Sequence, residues 1–182
     1  MPLPTVLPKE EITTLFIQMS NTKHRTLLML LYSAGLRIGE ALALRPEDIR
    51  SDEGLLYIRQ AKGKKDRRVP LSPRISSILQ QYLLAYKPKV FVFEGQKAGT
   101  PYSQSSARKV LKEALRKAGI KRKIVLHTLR HSYATHLTQS GVSIAHLQKI
   151  LGHASPNTTM LYTHLTGDDI RSIRSPIEDL DI

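Results

Sequence analysis

Along most of this chain apolar residues recur three and four positions apart, the spacing of one helical face, and a short stretch near the middle breaks that rhythm. Pro8-Lys9-Glu10-Glu11 opens a helix, with acids over its positive end and Ile12, Leu15, Phe16 and Met19 as its apolar stripe. His24 to Ser33 carries Leu27, Leu28, Leu30, Leu31 and Tyr32, and Gly35 stops that helix as a left-handed cap. Ile38 to Leu44 predicts a further short helix, and Arg45-Pro46-Glu47-Asp48 a turn with a new helical start. After Asp52-Glu53-Gly54 the pattern becomes that of strands. Leu55-Leu56-Tyr57-Ile58 pairs with Arg67-Arg68-Val69-Pro70-Leu71 as a hairpin, whose tip is Lys62-Gly63-Lys64-Lys65-Asp66. Ser72-Pro73 caps a helix to about Tyr86, and the apolar, β-rich Val90-Phe91-Val92-Phe93 predicts a third strand. From Ser103 onward the pattern is helical again: about 103–118, 127–140, 143–151 and 155–163, the first three ending at Gly119, Gly141 and Gly152. The fold class is therefore α+β, mainly α, with a small three-stranded antiparallel sheet.

Neither an internal repeat nor a linker interrupts this pattern, and 182 residues suit one domain with a real core, 1–182. The last segment, Thr166 to Ile182, differs in charge: Asp168, Asp169, Glu178, Asp179 and Asp181 alternate with Ile170, Ile173, Ile177 and Leu180. Such a segment suits docking on protein better than lying along a polyanion, either on its own domain or on a neighbouring subunit.

Charge narrows the class of partner. A formal net charge of +13 and a pI near 10.1 suit a polyanion, with nucleic acid ahead of an anionic membrane surface. No stretch approaches the roughly 20 apolar residues of a membrane helix, and Met1-Pro2-Leu3-Pro4 is not a signal sequence, so the expected location is cytoplasmic, on the nucleoid when DNA is bound. The absence of cysteine excludes disulfides, thiolate zinc sites and cysteine nucleophiles.

Six residues carry the candidate chemistry: Arg37, Lys62, His127, Arg130, His153 and Tyr162. If they converge they supply metal-free attack on a phosphodiester. A tyrosine gives the oxygen nucleophile, two guanidiniums neutralise non-bridging oxygens, and an amine and imidazoles move protons or bond the phosphate. Each has a bland alternative. Arg37 could make a surface ion pair with Glu40, and Lys62 is crowded by Lys64, Lys65, Arg67 and Arg68, any of which could touch backbone phosphate. His127 and Arg130 share one face of a helix start, where an anion is welcome. His127 and His131, four apart, invite a zinc reading, but the glutamate of a His-Glu-x-x-His site is missing and no third ligand is evident, so no metal is expected. His153 would suit a helix C-terminus as a structural residue, and a tyrosine such as Tyr162 is more often core. As a nucleophile its phenol, with an ordinary pKa of about 10, needs cations beside it.

The order of these residues, with Ala34-Gly35-Leu36-Arg37-Ile38-Gly39-Glu40, Lys62-Gly-Lys-Lys-Asp-Arg67, His127-Thr-Leu-Arg130-His131, Leu151-Gly152-His153 and Tyr162-Thr-His164, resembles the catalytic domain of the tyrosine recombinases, the phage-integrase and Xer-like family, over nearly the whole chain. The resemblance selects Lys62 from its basic neighbours. It implies that Tyr162 attacks the scissile phosphate to form a 3′-phosphotyrosyl link while Arg37 and Arg130 hold the non-bridging oxygens. By the same resemblance Lys62 protonates the leaving 5′-oxygen, His127 assists proton transfer, His153 bonds the phosphate, and Glu40 and His131 give structural support. Lys64, Lys65 and Arg67 are expected on DNA. No cofactor is implied, and the partners are double-stranded DNA and a homotetramer on paired sites.

One departure is that such enzymes usually carry an N-terminal DNA-clamping domain, expected to be absent here since Leu7-Pro8-Lys9-Glu10-Glu11 already enters the catalytic domain. Two alternatives follow: a DNA-binding module inactive in isolation, and a type IB topoisomerase-like enzyme that cuts and reseals one strand. Basic residues from Arg108 to Lys123 add a second candidate DNA surface, or a solvated helix face.

Overall fold

The computed structural model describes residues 4–59, 66–152 and 170–182. Lys62, Lys64, Lys65, His153 and Tyr162, and the helix expected over 155–163, lie outside the described residues. Seven helices fall wholly within them: α1 (Lys9–Ile17), α2 (Thr22–Ala34), α3 (Ile38–Ala43), α4 (Pro73–Tyr86), α5 (Gln104–Lys117), α6 (Leu126–Gln139) and α7 (Ile144–Leu151).

Local chemistry accounts for most of the helix boundaries. The side chains of Asn21, Ser72, Ser103 and Ser143 accept the backbone N–H three residues on, at the starts of α2, α4, α5 and α7. Every residue of α2 from Thr26 to Ala34 is buried, so this helix is the axis of the domain, with α6 and α4 against it and α3 and α5 beside. A helix apolar all round has no solvent face to offer, so it goes to the middle.

The sheet holds β1 (Ile49–Arg50), β2 (Leu55–Ile58) and β3 (Arg67–Pro70), antiparallel in that order. Leu55 lies opposite Pro70 and Ile58 opposite Arg67, while Ile49 lies opposite Leu56. The third strand is thus β1 and not Val90–Phe93, which corrects the expectation from the apolar run. The Glu94 carboxylate takes the backbone N–H groups of Lys89 (3.0 Å), Val90 (2.6 Å) and Phe91 (3.3 Å), and Val92 N–H donates to Leu44 O (2.8 Å). With those donors engaged no ladder forms, and the run is apolar because Val92 and Phe93 anchor the loop in the core.

The described part of the acidic tail, 170–182, packs on its own domain. Ile170, Ile177 and Leu180 are buried, and the Ser175 hydroxyl donates to Ser33 O of α2 (2.8 Å). Arg74 of α4 donates to Ile177 O (3.0 Å) and Leu180 O (2.6 Å), while its backbone N–H donates to Glu178 (2.9 Å). Asp179 pairs with Lys9 (3.3 Å) and Arg174 (3.1 Å).

Candidate active site

The site begins at the corner between α2 and α3. Gly35 has φ +62°, and a Cβ placed there would stand 2.4 Å from Tyr133 Cδ1 and 3.1 Å from Leu151 Cδ2. Only glycine fits a left-handed corner pressed this closely on its neighbours. The corner turns the chain so that Arg37, two residues on, caps α3 in an extended conformation. Glu40, on the first turn of α3, reaches back to accept the Arg37 backbone N–H (2.9 Å) and its guanidinium Nη1–H (3.1 Å). The Arg37 side chain remains 39% exposed.

Arg130 comes from α6 and is 2% exposed. Its Nη1–H donates to Gly35 O (2.6 Å) and its Nη2–H to Leu151 O (2.7 Å). Both acceptors end helices, where carbonyls lack intrahelical donors and carry the negative end of the helix dipole. Arg130 therefore joins the ends of α2 and α7. Burial, then repulsion from Arg37 and Arg67 against attraction to Glu40, brings its pKa down to about 10, so it stays protonated at neutral pH.

Arg67 completes the cluster in a place the sequence reading did not give it. Its side chain is 8% exposed, its Nε–H donates to Ile150 O (2.7 Å), and its two Nη groups grip the Glu40 carboxylate at 2.7 and 2.9 Å. Arg67, expected on DNA, thus has its guanidinium engaged between α3 and the end of α7. Burial of Glu40 alone would raise its pKa, but the bonds and charge of Arg67, with those of Arg37, outweigh it and bring the pKa down to about 2. Gly152 ends α7 at φ +65°, and a Cβ there would stand 2.9 Å from Arg67 Cδ. Glycine at 152 lets the helix end lie directly on Arg67. The period of two could have revealed this. Arg67 lies opposite Ile58 and shares its face with Val69, both buried, whereas Arg68 lies opposite Tyr57.

His127 lies at the exposed start of α6, its ring edge-on to His131 at 4.3 Å between centroids. Burial and the nearby Arg130 lower the His131 pKa, favouring a neutral imidazole. Beside His127 a cavity of about 350 Å³ is lined by Ile38, Arg108, Lys112 and Leu126. The basic face of α5 thus adjoins the Arg37 corner. Arg108, Lys109 and Lys112 are exposed, whereas Arg116 pairs with Glu113 and Arg122 with Glu11.

Of the candidate residues in the described chain, then, Arg37, Arg130, Glu40 and Arg67 share one cluster, with His127 and His131 on the helix that supplies Arg130.

The chain is similar to known proteins in both sequence and fold. Residues 5–168 match the phage integrase family. A tyrosine recombinase of Thermosipho africanus is 40% identical over 171 residues, covering 92% of this chain and 59% of the relative. Tyrosine recombinase XerA of Pyrococcus furiosus is 37% identical over 174 residues, covering 93% of this chain and 60% of the relative. The chain spans about three fifths of the length of these curated relatives. Among solved structures, XerA recombinase superposes with a TM-score of 0.79 at 30% identity, over 94% of this chain and 62% of that one. XerH site-specific recombinase, bound to its difH substrate in a pre-cleavage complex, gives 0.75 at 32% identity, over 89% of this chain and 50% of that one.

Proposed function

The chain belongs to the phage integrase family, and on that premise we propose that it is the catalytic part of a site-specific DNA recombinase working through Tyr162. The observation that carries the proposal is the joining of Arg37 and Arg130 through Gly35, Glu40 and the end of α7 into one cationic cluster on the edge that also bears His127.

In this reading the two guanidiniums take the non-bridging oxygens of the scissile phosphate, stabilising the charge that builds in the transition state. One donor aimed at such a charge contributes on the order of 10² to 10³ in rate. The Tyr162 oxygen attacks phosphorus and the 5′-oxygen leaves, giving a 3′-phosphotyrosyl link. Lys62 protonates the departing oxygen, His127 assists proton transfer on the tyrosine side, and His153 bonds the phosphate. Because the phosphodiester energy is retained in the link, the 5′-hydroxyl of a second strand reseals it. The exposed Arg108, Lys109 and Lys112 on α5, with Lys64 and Lys65 at the hairpin tip, hold the DNA backbone. Two pairs of subunits on two DNA sites form the recombining tetramer. Among the described residues no helix is long and apolar enough to cross a membrane, and together with a cysteine-free, strongly basic chain this favours work in the cytoplasm on the nucleoid.

A nicked duplex library with a randomised site, captured by covalent attachment to the protein, tests the proposal. The parent chain should retain DNA through denaturing electrophoresis and Tyr162→Phe should not. Equal adduct from both would show that another nucleophile acts, and the assignment of Tyr162 would fall.

A further inference from the structure

Three segments that carry proposed catalytic residues meet on one side chain outside that set. Arg67 begins β3, directly after the lysine-bearing hairpin. Its fork holds Glu40, which in turn holds Arg37, and its Nε–H holds Ile150 O, two residues before Gly152-His153. Gly152 packs on it too closely for any side chain to intervene.

The charges matter as much as the contacts. Glu40 lies between two guanidiniums. Toward Arg67 it makes two short bonds, 2.7 and 2.9 Å, and toward the Arg37 guanidinium one of 3.1 Å. A carboxylate gripped through both oxygens by one arginine is largely neutralised by it. The looser partner keeps its charge and, with 39% of its side chain exposed, a face for an outside anion. Remove Arg67, and Glu40 has only Arg37 left to pair with in a poorly hydrated place, where an unpartnered carboxylate is costly.

Resting on the strand-cleavage reading above, we propose that Arg67 is a positioning residue: it occupies Glu40 so that Arg37 stays available to the DNA phosphate, and it fixes the end of α7 that leads to His153. Arg67 itself touches no DNA.

The test is a binding cycle in a Tyr162→Phe background, so that it does not depend on cleavage. The affinity of a fluorescein-labelled DNA duplex at low salt is measured with and without Arg37→Ala. In the Arg67-containing chain, Arg37→Ala should weaken binding severalfold and flatten the salt dependence by about one phosphate contact. In Arg67→Met the same substitution should change affinity by less than twofold, because Glu40 already holds Arg37. In Arg67→Met/Glu40→Gln the severalfold effect should return, since glutamine still caps α3 but does not capture the guanidinium. Additive losses from Arg67→Met and Arg37→Ala would mean that Arg67 meets phosphate independently, and would overturn the inference. Failure of Glu40→Gln to restore the effect would also overturn it, leaving Arg67 with a packing role alone. If Arg67→Met does not fold, Arg67→Lys, which keeps the charge beside Glu40, carries the comparison. There Arg37→Ala must still cost severalfold, and loss of that cost refutes the proposal. A parent chain with no covalent adduct refutes the cleavage reading by itself, whereas the binding cycle decides the role of Arg67 either way.

Discussion

Gly35→Ala puts the geometry of the site to a quantitative test. Two effects oppose each other. Replacing glycine at φ +62° forces a left-handed conformation on an L-residue, at roughly 1–2 kcal/mol, while the stiffer unfolded chain returns about 0.4–1 kcal/mol. Together these leave roughly 0.5–1 kcal/mol against the variant. The third effect is larger: the new Cβ would meet Tyr133 at 2.4 and 2.7 Å and Leu151 at 3.1 Å, and Tyr133 is 1% exposed. Overpacking of this kind costs about 1–3 kcal/mol. The expected loss is about 2–3 kcal/mol, or about 5–10 °C in Tm for a domain of this size. Gly119→Ala is the matched control, because φ there is +73° and nothing lies within 4 Å of the new Cβ. It should change stability by less than about 1 kcal/mol, conformational terms alone remaining. Urea unfolding of both variants, followed by circular dichroism, isolates the steric part. Gly35→Ala should also slow adduct formation beyond its effect on stability, since Gly35 O holds Arg130. Equal stability of the two alanine variants would refute the packing described at this corner.

Two further outcomes are expected. Glu40 has an ordinary pKa of 4.5 brought down to about 2 in the folded chain, so its contribution is complete above pH 4.5 and is lost as pH falls toward 2; the shift corresponds to about 3 kcal/mol. Urea unfolding at pH 6 and pH 2.5 should therefore show the parent losing about 2 kcal/mol more than Glu40→Gln, and identical losses would count against the Arg67–Glu40–Arg37 arrangement. Arg74→Ala removes two charge-assisted bonds to Ile177 O and Leu180 O, which should destabilise by about 2 kcal/mol and expose 170–182 to protease, and unchanged proteolysis would show that Arg74 does not hold the tail.

Which features were legible in the sequence follows from how local their causes are. The caps at Ser72 and Gly35 depend on residues within one turn, and the structure has them where the pattern put them. The run Val90–Phe93 misled because a short apolar segment is the same whether it pairs as a strand or anchors a loop. A single carboxylate four residues from Val90 decided it. β1, only two residues long, has almost no pattern of its own and exists because Ile49 and Arg50 lie opposite Leu56 and Leu55. The engagement of Arg67 with Glu40 was hidden for a different reason. Among five cations within seven positions, composition says solvent and phosphate, whereas alternation along β3 turns this one toward Ile58, Val69 and Glu40. Burial of a charge is a tertiary event, readable only when its counter-ion is known.

The four clustered side chains also show how, among the described residues, three guanidiniums are held around one carboxylate. Arg37, Arg67 and Arg130 bring three positive charges and Glu40 one negative, so among these four the carboxylate does not balance the guanidiniums. Among the described residues dipoles share that load: Gly35 O, Ile150 O and Leu151 O, at the ends of α2 and α7, accept from Arg130 and Arg67. Helix-end carbonyls solvate an arginine without cancelling its charge. A second carboxylate in their place would have stabilised the free protein and left less field for an incoming phosphate. The arrangement binds the arginines firmly through neutral acceptors and keeps positive charge, as the proposed strand-cleavage site would need for a developing anionic transition state.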